Sequence, residues 1–160
     1  PMPTLAALGA WLQRNGHWLD LEIKPTPGTE LDTGRAVAAA CRALWQGVSS
    51  PPPFFSSFRP EALQGAREAA PEFARALLLD SLWPQWFDVA RALDCVAVIT
   101  NFKLMDAALI AQLHGAGLRA LCYTVNDEAE AERLRTLPGG GIDGIVTDAV
   151  DRISPAGPPG

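Results

Sequence analysis

Short apolar runs alternate along the chain with longer segments whose apolar residues recur at helical spacing. Six runs carry the signal of a β-strand, and they read WLDLEI, PPFFSSF, ARALLLD, CVAVITN, LRALCYTVN and IDGIVTD. Most of them recur at intervals of about 20 to 25 residues, the spacing of repeated βα units. The runs are apolar nearly throughout, as strands covered on both faces of a parallel sheet must be. The pattern therefore predicts an α/β fold, built either as an open doubly wound sheet or as part of an eight-stranded TIM barrel.

The segments between the strands carry helix signals. In ELDTGRAVAAACRALWQG, Cys41 and Trp45 fall on one apolar face, and Pro60 suits the first turn of PEALQGAREAAP. PQWFDVARALD and MDAALIAQLHGAG follow, the latter stopped by glycines that begin at Gly115. In DEAEAERLRTL, Asp127 stands three residues before a glutamate, which is the spacing of a capping box. The sequence thus predicts one helix in each interval.

Polar residues gather where the predicted strands end. They are Glu22 and Lys24, Ser56 and Ser57, Asp80, Thr100 and Asn101, Thr124 and Asn126, and Thr147 and Asp148. No glycine-rich phosphate loop follows any of the strands, so the sequence does not support a Rossmann-type nucleotide site. In a barrel the carboxyl ends of the strands form the active face, and we expect the chemistry to lie there.

Composition excludes several classes of protein. A net charge of -5 with scattered arginines argues against a nucleic-acid surface, which needs clustered cations. No stretch reaches the roughly 20 apolar residues of a membrane span, and the opening residues lack the basic start of a signal peptide. Cys41, Cys95 and Cys122 are too few and too widely spaced for a disulfide framework or a zinc site. Their apolar neighbours predict buried thiols in a cytoplasmic protein.

Four longer motifs follow one another along the chain. They read LEIKP, FSSFRPEAL, LHGAGLRALCYTVND and GIDGIVTDAVD. In this order and at this spacing they resemble the strand-end motifs of the glycerophosphodiester phosphodiesterases, especially the bacterial cytosolic type, from Pro1 to about Ile153. The resemblance implies a TIM (β/α)8 barrel that uses a divalent cation, Mg²⁺ or Ca²⁺, to hydrolyse glycerophosphodiesters to an alcohol and glycerol 3-phosphate. It also implies a barrel domain over residues 1–153 and a Pro/Gly-rich disordered tail over residues 154–160.

The first motifs of that family do not occur in this sequence. Family members begin with a strand that ends in His-Arg-Gly, then a strand with Glu-x-Asp, then an insertion with a second catalytic histidine. The stretch PMPTL resembles the point where the family chain leaves that insertion, so the six strands are expected to be the third to the eighth. The resemblance implies that two histidines act as general base and acid while the substrate's glycerol hydroxyl attacks to give a cyclic phosphate. Both histidines are expected outside this chain, and the fragment alone is expected to be inactive.

The resemblance assigns roles to five residues. Glu22 matches a metal-binding carboxylate, and Lys24 would meet the substrate phosphate. The two residues lie two positions apart, so they share one face of a strand. Phe58 would wall the pocket, Tyr123 matches an aromatic residue near the glycerol end of the substrate, and Asn126 would reach the rim of the site.

Structural interpretations of these residues stay open beside the functional ones. The Glu-Lys pair is also compatible with an exposed strand face, Phe58 with core packing, and Tyr123 with a half-buried strand aromatic. Asn126 is also compatible with local backbone hydrogen bonds. His17 and His114 lie away from the strand ends, and we interpret both as surface histidines.

Two other functions also stay open. One is a different metal-dependent barrel enzyme, such as an aldolase or lyase, whose Schiff-base form would need Lys24 or Lys103. The other is a non-catalytic barrel remnant used for binding. The expected partner is a small-molecule glycerophosphodiester, with no nucleic acid and no membrane span.

Overall fold

Strands and helices alternate over residues 2–154, which a computed structural model describes. The α-helices are α1 (Leu5–Asn15), α2 (Glu30–Trp45), α3 (Pro60–Ala69), α4 (Trp86–Ala92), α5 (Ala107–Gly115) and α6 (Glu128–Arg135). The strands are β1 (Asp20–Glu22), β2 (Phe54–Ser57), β3 (Arg75–Leu79), β4 (Ala97–Asn101), β5 (Arg119–Tyr123) and β6 (Gly144–Ile145). A 3-10 turn, Phe102–Leu104, follows β4. All six predicted strands and all five predicted helices are present, whereas α1 lies where the pattern predicts no element. The predicted tail lies outside the described residues except for Ser154.

The helices begin at the residues that satisfy their first amides. Thr4 precedes α1, and its hydroxyl accepts a hydrogen bond from the Ala7 amide at 3.2 Å. Asp127 precedes α6 and accepts from the Glu130 amide at 2.9 Å, so the predicted cap is confirmed. The Glu130 carboxylate binds Arg133 in its own helix, so the capping box is formed from the Asp127 side.

The chain forms two compact units. The first comprises Pro1–Leu78 with Phe87–Cys95, and the second comprises Leu79–Trp86 with Val96–Gly160. In the first unit β1 pairs with β2, and β2 with β3, all in parallel. In the second unit β4 pairs with β5, and β5 with β6, again in parallel. The predicted parallel α/β class is therefore confirmed within each unit.

The register between β1 and β2 aligns the polar ends of these two strands. Glu22 lies opposite Ser56, and Asp20 lies opposite Phe54. The amide of Ile23 donates to the Ser56 carbonyl at 2.7 Å, which extends this pairing beyond the end of β1. The pairing holds the short strand β1 in place and fixes which of its side chains share a face.

Helices α2 and α3 approach closely because each helix has a glycine at the point where it meets the backbone of the other. A Cβ atom at Gly34 would lie 2.0 Å from the carbonyl oxygen of Ala62, and one at Gly65 would lie 2.0 Å from that of Leu31. The fully buried Ala66 lies on the same stretch of α3. Two small-residue surfaces therefore form one tight helix pair in the first unit.

Side chains near the ends of the helices bind the end of the next helix in the first unit. Gln13 of α1 donates to the Leu44 carbonyl at 2.9 Å. Arg42 of α2 donates to Ala69, and Arg67 of α3 donates to Ala92. The two arginines also pair with acidic residues that precede the next strand, Arg42 with Glu72 at 2.8 Å and Arg67 with Asp94 at 2.7 Å. These helix-end links satisfy carbonyl groups that a helix leaves without a partner at its carboxyl end.

The three cysteines are free and buried, as predicted. Burial raises the pKa of the Cys41 thiol to about 11 and that of Cys95 and Cys122 to about 12. A thiol reacts as its thiolate, so these three side chains act as small apolar groups near neutral pH.

Candidate active site

Glu22 and Lys24 meet at the carboxyl end of β1. The Lys24 ammonium lies 3.2 Å from a Glu22 carboxylate oxygen. The side chain of Lys24 is 77% exposed and that of Glu22 is 34% exposed. Strand β1 ends at Glu22 and Lys24 lies two residues beyond it, yet the two side chains meet and both charges are accessible from solvent.

Asp20 extends this face by one further position toward the start of β1. The hydroxyl of Ser56 donates to an Asp20 carboxylate oxygen at 2.6 Å. Asp20 is exposed as a whole residue, but desolvation of its carboxylate raises the pKa of Asp20, the Ser56 hydrogen bond opposes that change, and the charge of Glu22 adds to it. The sequence interpretation missed Asp20, although the D-x-E-x-K spacing places Asp20, Glu22 and Lys24 on one side of a strand.

The end of β2 supplies Ser57 and Phe58 in the same unit. Ser57 is fully buried, donates to the Ile23 carbonyl at 2.7 Å and accepts from the Arg59 amide at 3.1 Å. Phe58 is 38% exposed, so core packing does not explain this residue. Ser57 therefore fixes the turn after β2, and Phe58 presents part of its ring at the surface.

Tyr123 ends β5 in the second unit. Its hydroxyl donates to the Leu79 carbonyl at 3.1 Å, and the residue is half-buried. The half-buried aromatic expected from the sequence is present. The same hydrogen bond fixes the direction in which the ring points.

Asn126 lies in the loop after β5 and joins it to the loop after β6. Its amide oxygen accepts from the Thr147 hydroxyl at 3.0 Å and from the Asp148 amide at 2.9 Å. Its amide nitrogen donates to the Asp148 carboxylate at 3.3 Å, and Thr147 also accepts from the Ala149 amide. Asn126 therefore holds two strand-end loops of the second unit together.

The two histidines lie away from the strand ends, as predicted. His17 is exposed in the loop before β1 and stacks on Trp11 with the ring centres 5.1 Å apart. His114 is also accessible at the surface, with 31% of its side chain exposed, and its Nε2 atom lies 2.8 Å from the Asp143 carboxylate. Local sequence patterns do not predict this pair, since its partners lie 29 positions apart in different βα units.

On the β1 face, Glu22 is the carboxylate best placed for a divalent cation, because that of Asp20 already accepts a hydrogen bond from Ser56. The accessible Glu22 carboxylate is the hard oxygen donor that Mg²⁺ and Ca²⁺ prefer. Within residues 2–154, no group of three or more His, Cys, Asp or Glu side chains is arranged to hold a metal ion. Glu22 therefore fits such a cation as one ligand of a larger set. In the same range, no helix is both long and apolar enough to cross a membrane.

Parallel βα units with polar side chains at the carboxyl ends of their strands are typical of barrel enzymes. The sequence model of the glycerophosphoryl diester phosphodiesterase family matches residues 1–152. The chain therefore belongs to the glycerophosphoryl diester phosphodiesterase family, whose fold resembles a TIM barrel, and the resemblance found in the sequence is confirmed.

Solved structures agree with this family. A phosphodiesterase from Oleispira antarctica, in complex with the product sn-glycerol-3-phosphate, is 29% identical with a TM-score of 0.79, over 92% of this chain and 57% of that chain. A Silicibacter pomeroyi protein assigned to the glycerophosphoryl diester phosphodiesterases is 26% identical with a TM-score of 0.75, over 91% and 52%. A glycerophosphodiester phosphodiesterase from Parabacteroides distasonis, 18% identical with a TM-score of 0.72 over 91% and 60%, shares the fold. No curated protein sequence matches the chain significantly. The chain spans only a little more than half the length of these three structures.

Proposed function

We propose that the protein containing this chain hydrolyses glycerophosphodiesters to an alcohol and glycerol 3-phosphate with the help of a divalent cation. The observation that carries the proposal is the accessible Glu22–Lys24 pair at the carboxyl end of β1. A phosphodiester and a cation bound together need both signs of protein charge within reach. The likeness to a phosphodiesterase with sn-glycerol-3-phosphate bound supports the same substrate class.

The proposed roles of the two side chains differ. Glu22 would hold the cation through a carboxylate oxygen, and a cation held there would supply the positive charge that polarises a phosphoryl group. Lys24 would place its ammonium against the phosphate and against the charge that develops on it in the transition state. The present 3.2 Å contact between them keeps the Lys24 ammonium beside the carboxylate that would bind the metal.

The family resemblance suggests roles for three further residues. Phe58 would wall the pocket, and Tyr123 would lie near the glycerol end of the substrate. Asn126 would reach the rim while it holds its two loops together. We assign the general base and acid to two histidines outside these 160 residues, together with the first two strands of the barrel. The six strands present would then be the third to the eighth of a barrel domain over residues 1–153.

Substitutions of Glu22 and Lys24 in the full-length protein test this assignment. Glu22→Gln keeps the shape and removes the ligand charge, so we expect weaker activation by Mg²⁺ or Ca²⁺ and partial recovery at high metal concentration. Lys24→Met keeps the apolar stem and removes the cation, so turnover should fall by about 10² or more without recovery by metal. The measurement is glycerol 3-phosphate release from glycerophosphocholine against metal concentration, with circular dichroism as the check on folding.

Matched controls separate the site from general charge effects. Glu132→Gln and Arg14→Met remove the same charges at exposed positions of α6 and α1, and both should leave activity unchanged. Near-normal activity in both site variants, or unfolding of both, would show that the pair is structural. Activity without any divalent cation would contradict the metal requirement.

A further inference from the structure

The second unit repeats the helix-end link with a histidine in place of an arginine. His114 stands in the last turn of α5, as Arg42 and Arg67 stand in the last turns of α2 and α3. Its Nδ1 atom lies 3.2 Å from the Gly139 carbonyl, and its Nε2 atom lies 2.8 Å from the Asp143 carboxylate. Gly139 lies four residues past the end of α6 and Asp143 directly precedes β6. Each arginine similarly binds the last carbonyl of the next helix and an acidic residue before the next strand.

Both partners of His114 are hydrogen-bond acceptors. A carbonyl oxygen and an ionised carboxylate can only accept, so the ring completes both bonds only when both of its nitrogens carry protons. That form is the imidazolium cation. The Asp143 hydrogen bond raises the pKa of His114, the Gly139 carbonyl adds to this, and desolvation opposes it.

Both acceptors belong to the segment that leads into β6. Gly139 has a φ of 96°, a left-handed conformation that glycine adopts without strain. Asp143 stands directly before Gly144, the first residue of β6, and the carboxylate oxygen facing His114 also accepts from the Ala120 amide of β5 at 2.7 Å. Strand β6 has two residues, so its position depends on the segment that precedes it.

The other charged groups around the pair lie on neighbouring elements. Arg135 of α6 and Asp143 both line a surface groove beside β6. The Arg135 guanidinium donates to the Ser154 carbonyl at 2.8 Å. Arg119 is exposed at the start of β5, next to Ala120. Both are permanent cations, so across the range in which a histidine titrates the charge that changes is that of His114.

We propose that His114 and Asp143 form a proton-dependent clasp that fixes the glycine segment 139–141 and strand β6 in the second unit. When the ring loses a proton, one nitrogen presents a lone pair to an acceptor, and one of the two bonds is lost. The arginine links Arg42–Glu72 and Arg67–Asp94 keep their bonds at the same pH, because a guanidinium does not deprotonate there.

The direction of the pH dependence follows from the raised pKa of His114. A histidine whose pKa is higher in the folded state stabilises that state fully below its unfolded value, about 6.5. This contribution declines as the pH rises through the folded pKa. The clasp is therefore closed in mildly acidic solution and loosens as the pH rises above about 6.5.

Backbone amide hydrogen exchange of the full-length protein tests the clasp. Protection of residues 138–146, corrected for the intrinsic rate, should fall between pH 5.5 and 8.5 by about tenfold for each unit by which folding raises the pKa. The amides of β4 report opening of the whole unit and should change less. In His114→Gln, which carries no titrating ring, the pH dependence of residues 138–146 should disappear.

Two controls complete the test. His17→Gln removes the other histidine, which is exposed, and should keep the pH dependence of the wild type. A proton NMR titration of the His114 ring in the unsubstituted protein reports its pKa directly, whether or not the variant folds. A midpoint at or below about 6.5 would overturn the proposal. Protection that is flat with pH in the wild type, or equally pH-dependent in His114→Gln, would overturn it as well.

Discussion

Arg75 carries a positive charge inside the first unit, where it binds backbone carbonyl groups. The residue is 5% exposed, and its guanidinium donates to the carbonyls of Phe73 at 2.6 Å, Leu93 at 3.0 Å and Pro71 at 3.2 Å. Burial lowers its pKa, and the nearby Asp94 charge opposes that change. The guanidinium therefore joins the segment directly before β3 to the end of the α4 region at Leu93.

Replacing Arg75 should destabilise the fold. Arg75→Met keeps much of the apolar stem but leaves three carbonyls without their donor, so we expect a loss of about 3 kcal/mol in the free energy of unfolding. Urea unfolding of the full-length protein measures this loss. Arg14→Met removes an exposed arginine and should change the unfolding free energy by less than about 0.5 kcal/mol. Equal effects of the two substitutions would contradict a structural role for Arg75.

Single residues differ in how far the sequence predicts them. Alternation along β1 is enough to place Glu22 and Lys24 on one face, because a strand repeats every two residues. Arg75 sits in an apolar run, and nothing in that run predicts that the carbonyl of Leu93, 18 positions away, joins two nearby carbonyls around its guanidinium. His114 and Asp143 meet only after two βα units fold, so their pairing is a property of the tertiary structure.

Helices α2 and α3 depend on two glycines for their close approach. A Cβ atom at Gly34 or Gly65 would lie 2.0 Å from a backbone carbonyl oxygen of the other helix, and a backbone group cannot move aside as a side chain can. Gly34→Ala and Gly65→Ala should each lower the free energy of unfolding by about 2 to 4 kcal/mol, although alanine favours helix formation. Thermal and urea unfolding of the full-length variants measure the effect.

Gly115 provides the matched control for these substitutions. It ends α5, and a Cβ atom there would meet nothing within 4 Å. Gly115→Ala should therefore be neutral or stabilise by up to about 1 kcal/mol, through the helix propensity of alanine. If Gly115→Ala lost as much stability as Gly34→Ala, contact between the helices would not be the reason for the loss at Gly34 and Gly65.

Whole elements are predicted well where periodicity is long and poorly at the edges. Five helices and six strands lie where the apolar pattern places them. Helix α1 has recognisable start and stop residues, Thr4 as its cap and Gly16 in a left-handed conformation at its end. The βα repeat does not predict this helix, because α1 precedes the first strand. Strands β1 and β6 are shorter than their apolar runs because strand length is set by what the neighbouring strand pairs with.

Each unit has a strand with an open edge among residues 2–154. In this range β1 pairs with β2 alone and β6 pairs with β5 alone. A groove of about 520 Å³ runs along β6 and is lined in part by Ile142, Ile145 and Val150. Unpaired strand edges beside apolar surface favour association between molecules.

The isolated 160 residues should therefore behave poorly in solution. We expect aggregation or a loosely packed globule, because the strands that would cover both edges are proposed to lie outside this chain. Size-exclusion chromatography with light scattering and calorimetry are the measurements. A sharp cooperative melt from a monodisperse monomer would contradict this expectation.

The same 160 residues should show no phosphodiesterase activity. They contain one proposed metal ligand and neither of the proposed catalytic histidines, so glycerophosphocholine and glycerophosphoethanolamine should be hydrolysed no faster than in a blank. The assay is release of glycerol 3-phosphate with each of several divalent cations. Metal-dependent release by the purified fragment would show that the essential groups lie within it.

The helix-end links follow the order in which the ribosome makes the chain. In each described link, the donor side chain precedes its acceptor: Gln13 before Leu44, Arg42 before Ala69, Arg67 before Ala92 and His114 before Gly139. A growing chain emerges from its amino end, so each donor is already outside the ribosome when the carbonyl it binds appears. A nascent βα unit can thus close against the unit made before it. The carbonyl near the end of each later helix finds its donor in residues that have already been translated.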